Sequence, residues 1–122
     1  MSAYAVGYFP LTKFGPDIET YLNTIDETLK PFGGRFLVHG GESTLLEGSW
    51  SGDLVVIGFP DRDSALGWYR SDAYQAIIHL RTNNVEGDVI VIQGVPEGHR
   101  AKDILAGQKK FPPPLAGEKS PT

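Results

Sequence analysis

An α+β fold built on a four-stranded antiparallel sheet is predicted by three observations in this 122-residue sequence. One segment, PDIETYLNTIDETLKP (16–31), carries apolar residues at helical spacing. Short apolar strands lie on either side of it and end at glycine or proline. Two of those strands, LVVI and VIVI, are apolar at consecutive positions.

AYAVGYF (3–9) is the first strand, stopped by Pro10. The helix follows, with Ile18, Tyr21, Leu22, Ile25 and Leu29 on one stripe. Pro16 suits the first turn, Asp17 and Glu19 favour the positive end of the helix dipole, and Lys30-Pro31 closes it. RFLVH (35–39) is the second strand, bracketed by glycine pairs. TLLEG (44–48) is a candidate continuation beyond a glycine bulge. A turn over 49–52 leads to the third strand, DLVVIGF (53–59), ended by Pro60. A second helical region starts near Asp61, with Asp61 or Asp63 as its cap. Around Arg70–Ala73 it is expected to kink or to split in two. DVIVIQG (88–94) is the last strand, and the order βαββαβ is the ferredoxin-like arrangement.

Consecutive apolar positions mean that both faces of the sheet are expected to be covered. Two helices cover one face only, so a second copy of the sheet is the economical cover for the other, and a homodimer follows. Residues 1–94 form the domain and 95–122 a C-terminal extension. AKDILAG is expected to make one short turn and KKFPPPL to run as polyproline II. The extension is read either as loosely held or as an arm clasping the partner through Ile104, Leu105, Phe111 and Leu115.

The formal net charge of -4 and pI of about 5.2 give no basis for binding nucleic acid or an anionic membrane. The absence of cysteine excludes disulfides, thiolate nucleophiles and zinc–cysteine clusters. The first ten residues alternate like a strand, so the expectation is a soluble cytoplasmic protein. His39, His79 and His99 lack metal-ligand spacing, and no phosphate loop or nucleophile elbow occurs. Neither a metal nor a cofactor is expected.

FGGRFLVHGGE, LLEGSW, LVVIGFPDRDSALGWYRSDAYQ and VIVIQG together resemble the family called domain of unknown function 1330, of the dimeric α+β barrel superfamily. The similarity covers about Tyr4 to Gly94. It implies a ferredoxin-like fold and a dimeric barrel, and no particular reaction. Relatives usually carry arginine where this chain has His39. The superfamily includes cofactor-free monooxygenases, isomerases and haem peroxidases, an analogy at the level of fold.

The candidate catalytic residue is His39, a group titrating near neutrality on a strand. Arg35 shares its alternation phase and is a candidate for holding a carboxylate or enolate, or for pairing across a dimer. Arg81 falls on the buried stripe with Tyr74, Ile77 and Ile78, where a charge needs a pair or a pocket. It also matches an arginine often present in the family. Trp68, Tyr69 and Tyr74 serve either as core or as walls for a substrate. Trp50 at its turn needs cover from the partner subunit or from a pocket rim, which makes it a further candidate substrate contact, and Tyr4 and Tyr8 share one phase of the first strand. His79 lies off its helix stripe. Asp61 and Asp63 read as helix caps. Two functions remain open: a cofactor-independent enzyme, oxygenase- or isomerase-like, acting on a small aromatic or oxidised carbon compound, and a non-catalytic dimeric binding or accessory protein. A cavity lined by Arg35 or Arg81 together with His39 would favour the first.

Overall fold

A computed structural model of the chain describes residues 1–10 and 14–106. Strands β1 (Ala3–Pro10), β2 (Arg35–His39), β3 (Gly52–Phe59) and β4 (Asp88–Gln93) form one sheet in the order β2-β3-β1-β4. Every neighbouring pair is antiparallel. Helix α1 (Pro16–Leu29) and the short helices α2 (Arg62–Arg70), α3 (Asp72–Gln75) and α4 (Ile78–Thr82) account for the two predicted helical regions. The order is the ferredoxin-like one.

Helix α1 begins at Pro16, with Asp17 and Glu19 in its first turn, and buries Ile18, Tyr21, Ile25 and Leu29 along the predicted stripe. A 3₁₀ turn at Lys30–Phe32 ends it, and Gly33 takes the left-handed conformation at φ 69°. The second helical region breaks twice, once more than the sequence suggested. Ser71 makes the first break: its backbone is extended, its hydroxyl donates to the Trp68 carbonyl (2.7 Å), and it accepts from the Tyr74 N–H (3.2 Å). One side chain thus ends α2 and caps α3. Asp61 caps α2 by accepting from the Ser64 N–H at 2.7 Å, as expected.

TLLEG does not extend a strand, since β2 stops at His39 and residues 40–51 run as loop. Gly40 and Gly48 have φ of 65° and 76°, which turn the chain away from the ladder. A second correction lies inside β2. Phe36 pairs with Ile57 and Val38 with Val56, which leaves Leu37 as a bulge. Two consecutive residues, Leu37 and Val38, therefore oppose a single step of β3. The alternation of side chains slips by one across them. Arg35, paired with Gly58, and His39, paired with Val55, end on opposite faces of the sheet. The expected common phase of Arg35 and His39 is lost.

The core lies between the helices and the face that carries Ala3, Ala5, Ile57 and Phe59. Those positions pair across β1 and β3, Ala3 with Phe59 and Ala5 with Ile57, so they point the same way. The opposite face carries Leu37, Val38, Ile90 and Ile92, which are 39% to 53% exposed in the single chain. Among the described residues no helix is long and apolar enough to cross a membrane. AKDIL forms the expected short turn, a 3₁₀ helix at Ala101–Leu105 with Ile104 and Leu105 exposed. Phe111 and Leu115 lie outside the described residues.

Candidate functional site

A cavity of about 340 Å³ lies between the helices and the sheet. Its origin is legible in β1, the central strand, whose helix-facing positions are Ala3, Ala5 and Gly7. These give the sheet little bulk beneath the helices, and Ala5 and Gly7 line the cavity floor. Phe9, next in the same phase, supplies a ring that lies over Gly7. A β-carbon on Gly7 would come 2.5 Å from Phe9 Cε2, and one on Gly87 would also collide with that ring.

Arg81, from α4, reaches this cavity and is 9% exposed. Its Nη2 donates to the Tyr74 hydroxyl at 3.5 Å, and that hydroxyl is 2.8 Å from the hydroxyl of Tyr21 on α1. Its guanidinium carbon stands 5.1 Å from the centre of the Phe9 ring, a cation–π contact. Burial opposes the charge, while Tyr74 and Tyr21 favour it, and the balance lies on the charged side. Burial first, and Tyr74 second, push the Tyr21 phenol far above the ordinary tyrosine range, so it stays neutral. Among the described residues the one ion pair joins Lys30 to Glu27 at the surface; no carboxylate neutralises Arg81. A buried guanidinium held by neutral hydroxyls and an aromatic face has the chemistry to pair with an anionic oxygen.

Trp68 also lines the cavity, and its ring centre is 4.2 Å from that of Tyr74. Its indole N–H donates to Thr28 Oγ1 at 2.9 Å, and that hydroxyl donates to the Ile25 carbonyl at 2.6 Å. The polar atom of Trp68 is therefore satisfied away from any ligand, and the ring is a fixed apolar wall. His39 stands at the exposed mouth. Its ring stacks on Phe36, and among the described residues no hydrogen bond orients it. Asp53 lines the same mouth from β3, on the face that carries Val55 and Ile57.

Of the residues singled out from sequence, His39, Arg81, Trp68 and Tyr74 meet at this cavity. Arg35, Trp50 and Tyr69 do not line it. Arg35 faces the other side of the sheet, in a second depression of about 280 Å³ with Tyr4 and Leu37. Trp50 is 49% exposed and sets its edge against Tyr8, also on that side. Tyr69 is half-buried and packs against Tyr74 and the core. Tyr21, Phe9 and Asp53 were missed as site residues. For Tyr21 the signal was present: a phenol on a buried stripe needs a partner for its hydroxyl. For Asp53 it was a carboxylate in the phase of Val55 and Ile57. Among the described residues no group of three or more metal-ligating side chains comes together.

The model of the family described as a domain of unknown function, DUF1330, matches residues 2–95. The chain belongs to the DUF1330 family. A comparison with curated protein sequences finds no match. Among solved structures, a protein of unknown function from Rhodopseudomonas palustris is similar, with a TM-score of 0.58, 13% identity, and coverage of 78% of this chain and 83% of that one. SnoaB, a cofactor-independent oxygenase from Streptomyces nogalater, gives a TM-score of 0.54 at 11% identity, covering 81% of this chain and 98% of its own. A dimeric ferredoxin-like protein of unknown function from Thermobifida fusca gives 0.51 at 11% identity, covering 77% and 92%. At these identities the likeness is one of fold, and this DUF1330 protein shares the ferredoxin-like fold with them.

Proposed function

We propose that this DUF1330 protein binds a small aromatic or conjugated carbon compound through a carboxylate or enolate oxygen, in the cavity between the helices and the sheet. The observation that carries this reading is Arg81: a guanidinium 9% exposed, without a carboxylate partner among the described residues, in an aromatic-walled space. An unpaired buried charge is expensive in a merely structural role and useful in an anion site. The chemistry within reach is proton transfer. His39 at the mouth takes a proton from the bound compound, and Arg81 with Tyr21 and Tyr74 stabilises the resulting enolate. Returning the proton at another carbon is isomerisation. Reaction of the enolate with dioxygen is cofactor-independent oxygenation, in which one oxygen atom replaces two hydrogens as a carbonyl and the other leaves as water. The cofactor-independent oxygenase activity of SnoaB makes oxygenation a reaction worth assaying here.

The working form is a homodimer. Leu37, Val38, Ile90 and Ile92 form an apolar sheet face that the chain's own helices leave uncovered, and a second sheet fits it. Replacing Ile90 and Ile92 together by lysine is expected to yield monomers in sedimentation velocity; a dimer unaffected by that change would place the contact elsewhere.

Titration with 2-naphthoate tests the site. Arg81→Leu is expected to weaken 2-naphthoate at least ~10-fold while the melting temperature holds or rises, because an apolar group replaces a buried unpaired charge. Loss of stability with unchanged affinity would instead assign Arg81 a structural role.

A second reading, a binding protein without turnover, is favoured by the exposed His39, which no hydrogen bond among the described residues orients. In that case a bound ligand with acidic C–H positions exchanges no deuterium from D₂O, whereas the enzymatic reading requires exchange that His39→Gln abolishes.

A further inference from the structure

Two side chains of opposite charge line the cavity, one buried and one exposed. Arg81 is buried among Tyr21, Tyr74 and Phe9, while Asp53 stands at the mouth beside His39. Asp53 is the one carboxylate that lines the cavity among the described residues, and it forms no ion pair with Arg81. Its placement is set by the sheet. It pairs with Phe9 across β1 and shares the helix-facing side with Val55, the partner of His39. Asp53 and His39 are therefore diagonal neighbours on one face. Gly40 follows His39 at that corner: its φ of 65° favours glycine, and a β-carbon there would meet the Asp53 carboxyl carbon at 3.8 Å, an ordinary contact.

From this arrangement we infer that the ligand is two-ended: an anionic oxygen enters toward Arg81, and a hydroxyl at the far end of the same flat molecule donates to Asp53. Asp53 is then the residue that selects hydroxylated compounds, and the substrate class narrows to hydroxy-substituted aromatic or conjugated acids and enols. The inference rests on the anion-site reading above and adds to it. A carboxylate at the mouth repels an anion that brings no donor, so simple aromatic acids meet attraction at one end and repulsion at the other. A hydroxyl turns the second contact into a charge-assisted hydrogen bond. The volume of about 340 Å³ is at the small end for ligand pockets, which suits one or two rings.

The test uses two probes that differ by one hydroxyl, 2-naphthoate and 6-hydroxy-2-naphthoate, titrated calorimetrically against the full chain. The wild type is expected to prefer the hydroxylated probe by about 10-fold or more. In Asp53→Ala that ratio is expected to fall to about one, and in Asp53→Asn to an intermediate value. Asp53 is exposed and its side chain makes no hydrogen bond among the described residues, so melting temperature serves to confirm that both variants fold. Equal affinities for the two probes in the wild type, or a preference that survives in Asp53→Ala, overturn the two-ended site and leave the Arg81 site standing. Failure of both probes to bind removes the Arg81 site as well, so the two failures are told apart.

Discussion

The rings of Phe36 and His39 lie stacked, with centroids 4.5 Å apart and planes 12° from parallel, although they stand three positions apart on one strand. In an unbroken strand an odd separation puts two side chains on opposite faces. The bulge at Leu37 is what brings them together. Stacking shields the imidazole, so its ring protons are expected upfield of those of His79 and His99 in proton NMR. Phe36→Leu should remove the displacement. Deletion of Leu37 should leave it in place, because Phe36, Val38 and His39 then face Ile57, Val56 and Val55 in an unbroken ladder and the two rings stay on one face. An imidazole unaffected by Phe36→Leu would contradict the stacked pair.

The buried phenol of Tyr21 makes stability fall at alkaline pH. Its ionisation lies far above the ordinary value of 10.0 in the folded chain, so the folded state keeps the proton that the unfolded chain loses. The neutral phenol's contribution is whole below pH ~10 and is lost as pH rises beyond it, with a slope approaching ~1.4 kcal/mol per unit. Tyr21→Phe should flatten that part of the profile relative to the wild type. Parallel profiles would refute it.

Thr28 holds Trp68 in place through a hydroxyl that both accepts and donates. Thr28→Val preserves shape and leaves the buried indole N–H unpaired. A loss of about 1–3 kcal/mol is expected, with most of it restored by Thr28→Ser. If valine proves as stable as serine in chemical denaturation, the bond contributes nothing net.

Gly7 is required because Phe9 occupies the space above it. Gly7→Ala forces that ring off its position beneath Arg81 and should cost about 1–3 kcal/mol. Combining it with Phe9→Leu should cost less than the sum of the two single changes, since the collision has been removed. Additive effects in a double-mutant cycle would place the strain elsewhere.

Much of this architecture was legible in the chain. The stripe of Ile18, Tyr21, Ile25 and Leu29 and the capping by Asp61 follow from local periodicity and local hydrogen bonding, and both occur as read. Arg81 was legible too: its spacing from Tyr74 put a charge on a buried stripe, and it is buried. Arg35 was misplaced for a different reason. A period of two assumes one residue per step on each of two paired strands, and where a bulge falls depends on how β2 meets β3, which no run within β2 encodes.

The amino-acid sequence by itself determined the order of strands and helices, the apolar second face of the sheet, and the burial of Arg81, because these follow from periodicities within single segments. Only the tertiary structure decided which polar groups share a cavity. It put His39 on the side of Arg81, and Arg35 and Trp50 on the other. It joined the hydroxyls of Tyr21 and Tyr74, 53 residues apart, and set Asp53 at the mouth. Those relations depend on register and on the packing of α1 and α4 over small residues of β1, which are properties of contact between distant segments.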